Sequence, residues 1–163
     1  MSTRDTGPEA GPPAGPFGPP AIMCGTKAGG VSAGQGPGFV WIRVEEEPAG
    51  ADLVACIRQA RETGLLPTAT NTLVDLTRFH GVVDWSAVHA VRDMAPWGDG
   101  TKTKPRVAYV SKDRMFAALI RLVTGLFPRA RHRLFGNLAD ALAWLEAGPK
   151  EGGDRNNPPM STG

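Results

Sequence analysis

Arg106-Val107-Ala108-Tyr109-Val110-Ser111 is the stretch on which the fold turns. Its central residues are apolar or aromatic without alternation, so a strand here is covered on both faces, and such strands belong to parallel sheets. Upstream, Thr72-Leu73-Val74-Asp75-Leu76-Thr77 and Phe39-Val40-Trp41-Ile42-Arg43-Val44 read as two earlier strands, rich in β-branched and aromatic residues. Between them Leu53, Val54, Ile57 and Ala60 repeat at helical spacing after Asp52, and Gly64 sits where that helix stops. Asp84 then caps a helix with the buried stripe Trp85, Val88, Val91 and Ala95, ended by Pro96. Downstream, Asp113 opens a strongly apolar helix carrying Met115, Phe116, Leu119, Ile120, Val123 and Leu126, halted before Pro128. Arg133-Leu134-Phe135 makes a short last strand, and residues 138–147 form a closing helix with Leu138, Ala141, Leu142 and Leu145 on one face. Strands separated by helices require crossovers, which are right-handed and make the sheet mostly parallel. The fold class is therefore α/β: a small mixed, mostly parallel sheet of four to five strands flanked by about four helices.

Composition sets the expected boundaries. The 163 residues include 21 Gly and 15 Pro, of which ten Gly and seven Pro fall in residues 1–38. Such segments bury too little apolar surface to offset chain entropy, so residues 1–37 and 149–163 are expected as disordered tails around a domain spanning 38–148. A hydrophobic content of 41% rules out a wholly disordered chain, and the glycines lack the period of three that collagen needs. No apolar run approaches the roughly 20 residues of a membrane span. The net charge of +2 does not imply nucleic-acid binding; Arg129, Arg131, His132 and Arg133 make the one local basic excess, read as a solvated rim. Cys24 and Cys56 stand far apart in sequence, with no metal or redox spacing, which fits a reducing cytoplasm.

Known catalytic signatures are missing: no dinucleotide fingerprint, no phosphate loop, no nucleophile elbow. His80, His89 and His132 fall on three different elements, so neither a metal nor a cofactor is expected. What remains is residues 74–87, where a carboxylate near a strand's end, a loop and a helix start come together. Open α/β sheets place ligands at such ends, and a helix start favours anions. Asp75, His80, Asp84 and Ser86 are the one constellation an enzyme could use, but no nucleophile is visibly paired with a base, and a non-enzymatic role is favoured. Phe79, His80 and Trp97 are candidates to frame a pocket; the alternative for the aromatics is core packing.

The order of these segments resembles the SpoIIAA-like branch of the STAS superfamily. It is carried by Val74-Asp75-Leu76, by Val107-Ala108-Tyr109-Val110, and by Phe135 followed by Ala141, Trp144 and Leu145. That resemblance implies an antiparallel hairpin at the start of the sheet, with residues 38–47 giving one strand and a partner drawn from residues 21–31. It also implies a regulatory module acting through protein partners, a kinase or an anti-sigma-like protein, switched by a phosphorylated serine in an Asp-Ser-Ser-Gly turn that opens the second helix. Asp84, Trp85, Ser86 and Ala87 occupy that place, so Ser86 matches the switch serine, while Trp85 and Ala87 replace the first serine and the glycine. The branch is related in fold to lipid-transfer domains of the CRAL-TRIO type. This implies the alternative of a small apolar or anionic ligand, with the helix of residues 113–127 bordering a pocket.

Overall fold

The computed structural model describes residues 17–67, 69–94, 97–98 and 101–147. Ten elements follow in order: β1 (Ile22–Thr26), β2 (Gly29–Gly36), β3 (Phe39–Glu46), α1 (Gly50–Glu62), β4 (Thr72–Phe79), α2 (Trp85–Met94), β5 (Arg106–Val110), α3 (Phe116–Leu126), β6 (Arg131–Phe135) and α4 (Leu138–Glu146). The strands lie in one sheet in the order β1-β2-β3-β4-β5-β6. β1, β2 and β3 pair antiparallel, and β3 to β6 run parallel. This is the expected mixed α/β class, with six strands in place of four or five.

The added strand comes from the Gly-rich segment, so the ordered unit starts before residue 38 and the expected tail of residues 1–37 does not hold from residue 17 onward. Ile22–Thr26 and Gly29–Gly36 form two strands in place of the single hairpin partner anticipated from residues 21–31. The reason lies on β3. Gly34 pairs with Trp41 and Gly36 with Phe39. A Cβ at Gly34 would stand 2.5 Å from the Trp41 ring, and one at Gly36 2.5 Å from the Phe39 ring. The aromatic side chains of β3 lie across the glycines of β2 and supply the packing surface that β2 itself lacks. Residues 1–16 and 148–163 and Ala95 lie outside the described residues.

Helix boundaries follow local chemistry. Asp52 Oδ2 accepts from the Ala49 amide at 3.1 Å at the start of α1, and Asn137 Oδ1 accepts from the Asp140 amide at 2.8 Å at the start of α4. Strand periodicity divides the core into two layers. Ile42, Val44 and Tyr109 join α1, α2 and α3 in one cluster. Trp41, Leu73, Ala108 and Val110 join Phe17 and α4 in the other. On the first face α1 packs over β1 and β2, α3 packs over β6, and the densest contacts of α2 are with α1. The middle of the sheet is thus roofed loosely. Cys24 and Cys56, distant in sequence, meet where α1 crosses β1; burial, and secondarily Cys24, pushes the Cys56 thiol up to about 12.

Candidate functional site

Under that loose roof lies a cavity of about 180 Å³. Its floor is Ile42 and Val44 from β3, Val74 and Leu76 from β4, and Tyr109 from β5. One wall is α1 and α2, through Leu53, Ile57, Val88 and Val91; the facing wall is α3, through Phe116, Leu119, Ile120 and Val123. Apart from Asp84, every lining residue is apolar, aromatic, Gly or Pro. Val82, 88% exposed, marks the mouth. The strand order never reverses, so this is not a switch-point crevice; the space lies between α1, α2 and α3 and the parallel strands.

The expected pocket residues divide. Phe79 and Trp97 line the cavity. Phe79 meets Phe116 edge-on at 6.0 Å, closing the wall between β4 and α3. Trp97 packs edge-on against Phe127 at 5.0 Å, and its Nε1 donates to Thr72 Oγ1 at 3.2 Å. His80 is not part of the lining: its side chain is exposed, and its amide donates to Glu46 O at 2.9 Å, continuing the β3–β4 ladder.

At the mouth, the start of α2 is tightly organised. Asp84 Oδ1 accepts from the Ser86 hydroxyl at 2.6 Å, the Ser86 amide at 3.0 Å and the Ala87 amide at 3.2 Å. The Ser86 hydroxyl, and then the Ala87 amide, hold the Asp84 carboxyl below its ordinary range. Trp85 is half-buried and lines the cavity, whereas Ser86 faces solvent. Three of the expected site residues, Asp84, Trp85 and Ser86, are therefore together.

Asp75 is not with them. It sits between Val74 and Leu76, which face the cavity, so strand alternation turns it to the opposite face. There Arg43 Nε donates to Asp75 Oδ2 at 3.2 Å, and Thr77 donates to Oδ1 from its amide at 3.0 Å and its hydroxyl at 2.6 Å. The Arg43 guanidinium in turn covers the Phe17 ring at 4.6 Å. Asp75 fastens β3 to β4, and the grouping of Asp75, His80, Asp84 and Ser86 is not assembled. Among the described residues no three His, Cys, Asp or Glu side chains converge.

Two contributors had no clear signal in sequence. Tyr109 reads as a buried strand residue, yet its hydroxyl lies 3.0 Å from His132 Nδ1, and His132 Nε2 lies 2.9 Å from Phe127 O. His132 falls in the basic run 129–133 but points inward, because β6 begins at Arg131, earlier than expected, and alternation directs every second residue to the core face.

The family model for SpoIIAA-like proteins matches residues 39–146. The chain belongs to the SpoIIAA-like family. A solved structure of the same fold is an uncharacterised DUF3478-family protein from Shewanella loihica PV-4, with a TM-score of 0.52 and 18% identity over 76% of this chain and 95% of that one. No functionally curated protein matches the sequence. The SpoIIAA-like match begins at β3, so β1 and β2 extend the sheet beyond the matched region. Among the described residues no helix is long and apolar enough to cross a membrane.

Proposed function

We propose that this SpoIIAA-like chain is a non-enzymatic binding module that holds a small apolar molecule in the cavity between α2, α3 and the sheet. The observation that carries this reading is a cavity of about 180 Å³ with a lining that is almost wholly apolar or aromatic and a single charged residue, Asp84, at its rim. Dry apolar cavities of similar size, about 150 Å³, accept benzene-like guests because such ligands recover the contacts an empty space forfeits. Native mass spectrometry of the purified protein is expected to reveal a copurifying apolar adduct, and small hydrocarbons are expected to raise the melting temperature. Repeated absence of both an adduct and a thermal shift overturns the reading.

A second reading, partner binding switched at Ser86, is favoured by the exposure of Ser86 and its 2.6 Å hydrogen bond to Asp84. A phosphate there would bring about 1.5 to 2 negative charges against the Asp84 carboxylate and disrupt the cap. The two readings are compatible, because Asp84 both caps α2 and borders the cavity mouth. Affinity capture with wild type, Ser86→Ala and Ser86→Asp tests it: identical partner sets would remove the switch.

A further inference from the structure

The few polar atoms around the cavity decide which apolar molecules it prefers. Among the described residues, Tyr109 is the one lining residue that carries a hydroxyl. The Trp97 N–H is already committed to Thr72. Asp84 lies at the rim, not on the floor, and its Oδ1 is taken up by the start of α2. Tyr109 instead comes from the floor, on the most enclosed strand, all of whose residues are buried.

The direction of its hydrogen bond follows from its neighbours. His132 Nε2 lies 2.9 Å from the Phe127 carbonyl oxygen, which can only accept, so Nε2 carries the hydrogen. In a neutral imidazole Nδ1 is then a bare acceptor, and the Tyr109 hydroxyl 3.0 Å away donates to it. Burial of the ring lowers its pKa and favours that neutral form. With its hydrogen spent on His132, Tyr109 Oη retains only acceptor capacity. A guest that places a donor against it gains a hydrogen bond; a guest that places another acceptor there meets two facing lone pairs.

Resting on the ligand-binding reading above, we propose that the cavity selects a neutral, ring-sized hydrogen-bond donor, a phenol or small alicyclic alcohol, whose hydroxyl donates to Tyr109 Oη. A volume of about 180 Å³ leaves room for one ring and a small substituent.

The test titrates the full chain, and its Tyr109→Phe variant, with two pairs of probes matched in size: phenol with toluene, and cyclohexanol with cyclohexanone. Tyr109→Phe is expected to weaken phenol about tenfold relative to toluene, the weight of one neutral hydrogen bond. It should also abolish a wild-type preference for cyclohexanol over cyclohexanone. Because the phenol-to-toluene ratio is compared within each protein, a general change in the cavity of the variant cancels. A phenol-to-toluene ratio that is the same in both proteins overturns donor selection and leaves the apolar-cavity reading standing. If none of the four probes binds wild type, both readings fall. Should Tyr109→Phe not fold, wild type alone decides, because equal affinity for cyclohexanol and cyclohexanone overturns the proposal.

Discussion

The carboxylate of Asp84, which caps α2, fills the space where Gly50, the first residue of α1, would carry a side chain. A Cβ at Gly50 would collide with Asp84 Oδ2 and press on the Ala87 methyl group. The two helix starts therefore interlock at the mouth of the cavity. Gly50→Ala is expected to destabilise the fold by about 0.5–2 kcal/mol, the usual cost of a lost helix cap, because the Asp84 side chain must move aside. It should also displace Asp84, which a changed pH response will report. The folded-state pKa of Asp84 is lowered, so its charge contributes stability that is fully present above the unfolded value near pH 4 and is lost as pH falls through the folded value. The melting temperature of wild type should exceed that of Asp84→Asn at neutral pH and converge with it below about pH 4; in Gly50→Ala the gap on adding Asp84→Asn should shrink.

Filling the cavity separates its two possible roles, as guest site or packing defect. Val88 is half-buried on α2 and faces the space. Val88→Phe is expected to abolish the thermal shift produced by toluene and remove any copurified adduct. Stability should hold within about 1.5 kcal/mol, because an added ring in an existing void replaces missing contacts rather than creating strain. Denaturant titrations with and without toluene measure both quantities.

The Tyr109–His132–Phe127 chain makes stability depend on mildly acidic pH. Burial lowers the folded pKa of His132 below its ordinary 6.5, so protonation favours the unfolded chain. Stability is therefore full above about pH 6.5 and declines as pH falls below it, until the folded-state pKa is passed. His132→Gln should flatten that slope between neutral and acidic pH. Tyr109→Phe should cost about 1 kcal/mol at pH 7 through the unpaired Nδ1, while keeping the slope. Unfolding free energies measured at several pH values distinguish the two variants.

Most of the parallel half of the fold was legible because its segments are long, apolar and separated by clear helix signals. The continuous Val107–Val110 run placed β5, and the apolar stripe of Phe116, Ile120 and Val123 placed α3. The start of α2 was legible too, since an Asp just before a run of helical apolar spacing reads as an N-cap. Asp75 stands apart from the start of α2 for a reason that a linear reading, which ranks a residue by its neighbours in sequence, does not see. One step along a strand reverses the face, and Val74 and Leu76 look toward the cavity while Asp75 looks away. The cavity itself depends on how α1, α2 and α3 sit over the sheet, a property of tertiary packing that leaves no local pattern. Tyr109 and His132 are 23 residues apart, and only strand register makes them neighbours.

β2 runs beyond the stretch the sequence offers for it, for a related reason, and the cause is open to a double-mutant cycle. Gly-Gly-Val-Ser-Ala-Gly-Gln-Gly has almost no strand propensity of its own. Its conformation is held by β3, whose Trp41 lies flat over Gly34. If the ring occupies the place of a side chain, Gly34→Ala should destabilise wild type by about 1–3 kcal/mol, because Trp41, only 2% exposed and packed against Gly34 and Phe17, has little room to retreat. Trp41→Leu alone should cost about 3 kcal/mol or more through lost burial. In the double variant the alanine methyl meets the smaller leucine, so the second substitution should cost nothing or restore stability. The coupling read from four denaturation curves should then exceed about 1 kcal/mol in the rescuing direction. Simple additivity would mean that Gly34 is needed for its backbone and not for the ring above it.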